Sequence, residues 1–271
     1  MFENLHNLYK YRVLIQSLVS RELKARYRGS VLGFFWSFFN PLLLLIVYTI
    51  VFNYVLPNRA LDTQPYALFL FSGLLPWTWF SSSLLESSSV IASGGNLIKK
   101  IIFPAEVLPI VSVLANMVHF LLGTPILFLF IFLYKVPFNW NALYFPVIIL
   151  IQLVFTLGFV LWISSLSVHF RDLRDILANM LTLWFFCSPI IYPFSISSFS
   201  AGKSETAARF FKYILYLNPV SYLMDSYHQS VFYGRMPDLR HLLIVLAISI
   251  VTFFSGYFVF DRLRDTFAEE V

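Results

Sequence analysis

The side chains of this sequence that could perform catalysis are few and far apart. Gly202-Lys203-Ser204 matches the end of a phosphate-binding loop, but that motif requires a glycine where Ser197 stands. The remaining acidic and histidine candidates within apolar segments are scattered over several predicted depths: Glu86, Glu106, His119 and Asp225. No group of His, Cys, Asp or Glu has metal-ligand spacing. We therefore expect no catalytic residues, metal or cofactor on this chain, and an ATP site, if the work is energy-driven, on a different one.

Basic side chains are instead concentrated near the N-terminus, at Arg21, Lys24, Arg26 and Arg28, just before a long apolar run. At about 100° per residue, residues 4–28 place cations on one stripe and apolar groups on the other. This pattern predicts an amphipathic helix lying along the membrane surface. Glu22 interrupts the apolar side and favours an i,i+4 pair with Arg26. A solvated helix packed on a cytoplasmic partner remains the alternative.

Composition requires that most of the chain lies in a membrane. Hydrophobic residues make up 59% of the 271 residues and charged residues 12%, whereas soluble domains carry about 25% charged residues. Mean hydropathy is +0.75, and the apolar runs are close to the ~20 residues that cross a bilayer as a helix. The sequence predicts an all-α fold with six spans, at about 31–56, 66–91, 105–134, 142–168, 176–195 and 241–260. Glu86 falls at membrane depth, so we expect it to face protein or water.

The charges also predict orientation and domain organisation. Lys and Arg are concentrated in the segments that would be inside if the N-terminus is cytoplasmic, so both termini are expected inside. Residues 196–238 are too apolar in their second half for a free loop and too mixed for a span, which favours re-entrant helices between spans five and six. No removable signal peptide is apparent. We expect one transmembrane domain, 1–271, with an interface helix (1–30), the spans (31–260) and a cytoplasmic tail (261–271).

Aromatic residues form 19% of the chain, and several recur within the predicted spans. Interfacial belts and packing account for most of them. A second group is too closely repeated within spans for belts alone: Trp36, Phe39, Trp77, Trp79, Phe80, Trp184 and Tyr192. Ring faces tolerate many registers of a sliding sugar chain, so these residues are candidates to line a channel.

Four stretches in order resemble one family. These are Arg26-Tyr27-Arg28-Gly29-Ser30-Val31-Leu32-Gly33-Phe34-Phe35-Trp36 with Asn40-Pro41-Leu42, Asn96-Leu97-Ile98-Lys99-Lys100 with Phe103-Pro104-Ala105-Glu106, Phe170-Arg171-Asp172, and Asn218-Pro219. Together they are similar to the permease subunits of ABC transporters that export O-antigen, capsule or teichoic acid. The similarity covers essentially the whole chain.

The resemblance implies a homodimer in the bacterial cytoplasmic (inner) membrane, bound to two copies of a separate ATPase that carries ATP and Mg²⁺. It also implies that residues 96–103, with Pro104 after them, form the helix that couples to this ATPase. The substrate would be a polysaccharide on a polyprenyl diphosphate, and Arg21, Lys24, Arg26 and Arg28 would attract the diphosphate. Ordinary topology determinants are the alternative for these cations.

Two other functions remain open. An ABC permease for drugs or small lipids would share the spans, although the aromatic content and the Arg-Tyr-Arg opening argue against it. A polytopic glycosyl- or acyltransferase would need a cluster of acidic or histidine residues at one membrane face. We expect a transport subunit without enzymatic activity, with lipids and no nucleic acid among its partners.

Overall fold

The protein is described by a computed structural model at residues 10–51, 63–95, 104–137, 139–170, 172–194 and 205–270. These residues form helices and connecting turns, and no strand occurs among them. The α-helices, in chain order, are α1 (Arg12–Arg26), α2 (Trp36–Ile50), α3 (Tyr66–Ser93), α4 (Val107–Leu133), α5 (Tyr144–Ser167), α6 (Leu173–Phe186), α7 (Glu205–Leu217), α8 (Pro219–Tyr227), α9 (Leu239–Leu263) and α10 (Phe267–Glu270). The predicted all-α fold is confirmed for this part of the chain.

Five segments of the described chain are long and apolar enough to cross a membrane. They are Gly33–Ile50, Tyr66–Ser93, Val107–Leu133, Trp140–Ser167 and Leu239–Thr266. The fifth predicted span, 176–195, overlaps α6, whose 14 residues are too few for a helical crossing of the hydrocarbon core. The chain continues irregularly through Ser188, Pro189 and Ile190, which are buried. The crossing at 176–195, and with it the total of six, therefore stays a prediction.

Helix α3 is the centre of the bundle and α2 lies at its edge. Among the candidate spans α3 is the most enclosed, with 72% of its most apolar stretch buried, against 11% for the stretch that contains α2. Helices α4, α5, α6 and α8 all pack on α3. Pro76 lies inside α3, and its carbonyl accepts a hydrogen bond of 2.8 Å from Gln152 Nε2 on α5. Burying α3 on several sides explains why its apolar residues do not form a single stripe.

Two glycines allow α5 and α9 to touch backbone to backbone. A Cβ on Gly158 would lie 2.6 Å from the Phe253 nitrogen, and one on Gly256 would collide with the Gly158 carbonyl oxygen. Small residues at such positions permit close helix packing in membranes. This pair makes the most extensive helix contact among the described elements.

Both ends of the described chain lie at the same end of the bundle. Leu18 of α1 packs on Val107 and Val111, at the start of α4. Phe267 of α10 packs in a cluster with Ile91, near the end of α3, and Leu108. Both described ends therefore lie beside the end of α3 and the start of α4.

The segment after α7 is held inside the protein by Asn218. Its side-chain oxygen accepts hydrogen bonds from the Val220 backbone N–H (3.0 Å) and from Trp184 Nε1 (2.8 Å). Its amide nitrogen donates to the Cys187 carbonyl (3.1 Å) and to Ser188 Oγ (2.9 Å). Asn218 thereby caps α8 and also holds the turn that follows α6. Residues 220–228 are all buried.

Candidate functional site

Arg26, at the end of α1, is held by residues of two spanning helices. Its Nη2 donates to Glu86 Oε1 on α3 at 2.6 Å, and its Nη1 donates to Asn116 Oδ1 on α4 at 3.1 Å. Asn116 Nδ2 in turn donates to Glu86 Oε2 at 2.7 Å. These three residues, which we call the polar clamp, form a closed ring of hydrogen bonds that joins α1, α3 and α4.

The polar clamp confirms one prediction from the sequence and contradicts another. Glu86 faces protein groups, as predicted for an acid at membrane depth, and that prediction is confirmed. The expected pair between Arg26 and Glu22 is wrong, because the guanidinium turns towards α3 and its ion pair is with Glu86. Glu86 is partly shielded from solvent and is also bound by Asn116. It therefore holds the guanidinium more firmly than the exposed Glu22, on the helix of Arg26 itself, would.

A second polar group lies next to the clamp. Ser37 Oγ of α2 donates to Tyr27 Oη at 2.9 Å, and His119 Nδ1 of α4 lies 3.3 Å from Tyr27 Oη and 3.2 Å from Ser37 Oγ. The Tyr27 ring meets the His119 ring edge to face, with centroids 5.7 Å apart. Tyr27 therefore connects the end of α1 to both α2 and α4.

Two cavities share Arg26 as a wall. The first, which we call the aromatic cavity, has a volume of about 380 Å³ and lies between α2, α3 and α4, with Trp36, Trp79 and His119 in its lining. The second, the basic cavity, has a volume of about 610 Å³ and is lined by Arg21, Arg26 and Arg174 together with Glu22 and Glu86. The clamp thus stands between a space lined mainly by aromatic and neutral polar residues and one lined by several charged residues.

The four predicted cationic residues do not form one cluster. Arg21 and Arg26 line the basic cavity, whereas Lys24 lines a separate, mainly apolar groove of about 740 Å³ beside Phe34. Arg28 is exposed. Arg174, from the start of α6, joins Arg21 and Arg26 although it lies about 150 residues away in the sequence.

The predicted channel aromatics occupy different environments. Three of them, Trp77, Trp79 and Phe80, belong to α3 and are buried in the core of the protein. Trp79 Nε1 donates to the Val113 carbonyl there at 3.2 Å. Trp184 and Tyr192 are half-buried in the described chain. Trp36 is partly exposed and lines the aromatic cavity, and Phe39 is exposed on α2. Contact with a polymer stays a prediction for all seven, and Phe39 is the most accessible of them.

The predicted ATPase-coupling residues Asn96, Leu97, Lys99, Lys100 and Phe103 lie outside the described residues. Pro104, which follows them, is partly exposed just before α4. Gly94, which precedes them, is buried near Leu108 at the end of α3. The structure therefore places the two ends of this segment but does not test its contact with a partner.

Sequence reasoning missed Asn116, Ser37 and Arg174. Asn116 is a single amide inside a long apolar helix, and such a residue needs a partner in the membrane. That rule could have identified it beside Glu86. Among the described residues no group of three or more His, Cys, Asp or Glu could hold a metal. The acids noted in the sequence are also separated: Glu86 pairs with Arg26, and Asp225 lies 3.5 Å from His241 Nδ1.

Comparison with known proteins identifies the family. The ABC-2 type transporter family matches residues 13–232. The chain is 41% identical, over the full length of both proteins, to the O-antigen export system permease protein RfbA of Myxococcus xanthus. It is 31% identical to a protein of the same name from Klebsiella pneumoniae, with 94% of each chain covered. It is 23% identical to the polysialic acid transport protein KpsM of Escherichia coli, covering 90% of this chain and 91% of that one. The chain therefore belongs to the ABC-2 type transporter family of membrane proteins.

Proposed function

We propose that this chain is the membrane channel subunit of an ATP-driven exporter that moves a polysaccharide of the O-antigen, capsule or teichoic-acid type across the cytoplasmic membrane. The observation that carries the proposal is the 41% identity with an O-antigen export permease from end to end, so that no segment of either protein lacks a counterpart. The weaker similarity to a polysialic acid transport protein supports polysaccharide over a small substrate.

The energy for export comes from a separate ATPase, with two copies bound to a homodimer of this chain. Residues 96–103 are the segment proposed to couple to this ATPase, and the described residues on either side of them lie at the end of the bundle that also carries α1 and α10. ATP and Mg²⁺ bind to the ATPase, and this chain carries no cofactor. The exposed apolar side of α2, which includes Phe39, Leu43 and Ile46, is the surface available to lipids and to the second copy.

The chain crosses the membrane six times with both termini in the cytoplasm. The segment 173–194 supplies the fifth crossing, because it starts at Arg174 beside the basic cavity and ends where the Ile191 carbonyl accepts a hydrogen bond of 2.6 Å from Tyr66, at the opposite end of α3. Helix α1 lies at the cytoplasmic surface, and its last residue, Arg26, anchors it to α3 and α4. Helices α7 and α8 re-enter the protein from the outside, and the burial of residues 220–228 supports this arrangement.

The substrate is carried on a polyprenyl diphosphate, whose charged group approaches Arg21, Lys24, Arg26 and Arg28 at the membrane surface. The basic cavity supports Arg21 most directly, because Arg26, which also lines it, is paired with Glu86. Channel contacts come from the aromatic group, beginning with the accessible Trp36 and Phe39. The names of the relatives give no support to the alternative of drug or small-lipid efflux. The other alternative, a polytopic transferase, needs a cluster of acidic or histidine residues, whereas the acids noted in the sequence are separated.

A depletion experiment tests the proposal. Cells that lose this chain should accumulate lipid-linked polymer inside and lose polymer at the surface. Expressing the chain from a second copy of its gene should restore the surface polymer. Surface polymer can be measured with an antibody or lectin, and internal polymer after lysis. Normal surface polymer in depleted cells, with intact synthesis, would contradict the proposal, whereas loss of synthesis itself would indicate a transferase.

A second experiment tests the coupling helix. Replacing Lys99 and Lys100 together by glutamate should abolish co-purification with the ATPase encoded in the same cells and leave the amount of chain in the membrane unchanged. The matched control is Arg262→Glu, a charge reversal of an exposed cation at the end of α9. Retention of the ATPase by the double variant would show that the contact lies elsewhere.

A further inference from the structure

A third cavity lies at the end of the bundle opposite the polar clamp, where three connecting segments meet. They are the residues just before α3, the turn after α4 and the turn that follows the buried helix α8. The walls of this cavity include Pro65, Tyr134, Lys135, Phe232, Tyr233 and Arg235. Its volume is about 280 Å³. We call it the outer cavity, because the proposed topology places this end of the bundle outside the cell membrane.

The outer cavity carries positive charge without a compensating acid. Lys135 and Arg235 both line it, and no acidic side chain occurs among the described residues of its lining. Within the described part of the chain, neither cation forms an ion pair. Lysine and arginine are scarce in short connections outside a membrane. Topology therefore does not explain why two cations meet in one cavity on this side.

Lys135 occupies a backbone position that usually belongs to glycine. Helix α4 ends in a Schellman turn, in which the Lys135 N–H donates to the Phe132 carbonyl (3.2 Å) and the Val136 N–H donates to the Ile131 carbonyl (3.0 Å). The turn gives Lys135 a left-handed conformation, with φ at 55°. Glycine is the common residue at this point of the turn, because a side chain strains the backbone there. The strain at Lys135 indicates that its ammonium group has a use.

The turn that carries Arg235 is fixed against the turn that carries Lys135. Asn141 Nδ2 donates to the Gly234 carbonyl at 2.8 Å, and a Cβ on Gly234, whose φ is +62°, would collide with the Pro137 carbonyl oxygen. The Arg235 guanidinium lies 5.7 Å from the centroid of the Tyr233 ring. Because the two turns touch backbone to backbone, little ordering is needed before a ligand binds both cations.

These groups select a phosphate among the possible ligands. A neutral sugar or an acyl chain would leave both positive charges without a partner. A phosphate offers several strong acceptor oxygens, so it can accept charge-assisted hydrogen bonds from the ammonium and the guanidinium together. The ammonium acts as a point charge, and the planar guanidinium can donate two parallel hydrogen bonds.

We propose that the outer cavity binds a phosphate group between Lys135 and Arg235 on the side where the substrate leaves. Two sources share this chemistry: the diphosphate of the exported lipid-linked polymer, and the headgroup of a phospholipid in the outer leaflet. The inference deepens the proposed export function and rests on it for the side of the membrane and for the first source. The site is separate from the basic cavity, which lies at the other end of the bundle.

Acetylation of lysines, followed by mass spectrometry, tests the site in the full-length chain. The chain is purified in a maltoside detergent, which contains no phosphate, and treated with acetic anhydride with and without inorganic pyrophosphate. The control in the same molecule is Lys212, exposed on α7 outside the cavity lining and 5.9 Å from the centroid of the Tyr216 ring. At a pyrophosphate concentration about ten times the Kd, acetylation of Lys135 should slow about tenfold, because only the free site reacts. The rate at Lys212 should not change.

Two variants separate binding from folding. Arg235→Gln should raise the Kd for pyrophosphate, measured by protection of Lys135, at least about tenfold, because one contact with a charged group is lost. Lys135→Gly removes the ammonium and suits the left-handed backbone. It should therefore unfold at no lower temperature than the wild type, while pyrophosphate raises its Tm by less. Lys212→Gln should match the wild type in both measurements. A lower Tm of Lys135→Gly without pyrophosphate would contradict the strained turn.

Mixed micelles distinguish the two sources. Protection of Lys135 by a polyprenyl diphosphate, but not by phosphatidylglycerol at the same phosphate concentration, would assign the site to the exported substrate. The reverse result would assign it to a phospholipid. If none of the three phosphate compounds protects Lys135, the site is overturned, and export that still depends on the chain leaves the proposed function standing. Failure of the proposed function is different, because surface polymer would then be normal in depleted cells.

Discussion

Glu86→Gln gives the sharpest test of the polar clamp. The wild-type carboxylate accepts from both Arg26 Nη2 (2.6 Å) and Asn116 Nδ2 (2.7 Å), and Asn116 Oδ1 accepts from Arg26 Nη1 (3.1 Å). A glutamine at this position has one acceptor and one donor. Whichever way its amide and that of Asn116 are turned, one donor then faces another donor.

The expected loss of stability follows from these contacts. Hydrogen bonds to charged groups contribute about 1.5–3 kcal/mol, and fully exposed ion pairs about 0.2–1 kcal/mol. The side chains of Arg26 and Glu86 are 27% and 36% exposed, so the pair lies between these cases. We expect a loss of about 1–2 kcal/mol, which corresponds to a decrease in Tm of about 2–8 °C for a chain of this size.

The assay is thermal unfolding of the purified chain in detergent, followed by size-exclusion chromatography. The matched control is Asp261→Asn, which removes the ion pair with Arg264 at 3.1 Å between side chains of similar exposure, 37% and 38%. That i,i+3 pair should contribute only about 0.2–0.5 kcal/mol. If Glu86→Gln lowers Tm no more than Asp261→Asn does, the clamp does not hold α1 on the spans and the reasoning fails.

Three further outcomes are expected. Gly256→Val should cost at least about 2 kcal/mol, because its side chain would enter the Gly158 backbone and the Trp162 ring, whereas Val251→Ala, at an exposed position of the same helix, should be nearly neutral; equal Tm values would contradict the close contact. Asn218→Ala should lower the free energy of unfolding by about 1–3 kcal/mol, because the helix cap is lost and the Cys187 carbonyl loses its donor. Asn218→Asp keeps the cap but not the amide donor, so its stability should lie between those of the wild type and the alanine variant; urea or thermal unfolding measures both. Trp36→Ala should reduce surface polymer without a change in Tm, whereas Trp77→Ala, a cavity-forming change in the core, should lower Tm by several degrees; normal polymer in the Trp36 variant would end the role of that ring in transport.

The long spans could be predicted from the sequence because length and composition determine them. The predicted span 105–134 is found as Val107–Leu133, and 66–91 as Tyr66–Ser93. Prolines did not prevent this, since the helices continue through Pro41, Pro76 and Pro125. Within a membrane protein, neighbouring groups can satisfy the carbonyls that a proline leaves free.

The fifth span shows what hydropathy does not determine. Its apolar run continues past residue 186, yet α6 ends at Phe186, with Cys187 as its C-cap. Pro189 disfavours helical geometry at Ser188. The side chain of Asn218, about 30 residues further along the chain, then binds the Cys187 carbonyl and Ser188 Oγ. A helix end that depends on a distant side chain cannot be derived from local periodicity.

The candidate site was predictable only in part. The basic stripe of α1 identified Arg26 as important but gave it the wrong partner, since helical spacing favours the nearby Glu22 over Glu86 in another helix. Burial of Trp77, Trp79 and Phe80 was also beyond prediction, because an aromatic in a span can face lipid, a channel or the core. Which of these it faces depends on helix packing, which the composition of one helix does not contain.

The backbone contact between Gly158 and Gly256 has a mechanical consequence. No side chain separates the two helices at this contact. Helices α5 and α9 therefore cannot slide or separate without losing contact along much of their length, and they move as one rigid unit. If the helices move apart and together, the movement must then occur at a less tightly packed contact between other helices. That contact is the seam where α1 and α2 meet α3 and α4, because cavities occupy it and a few polar contacts bridge it.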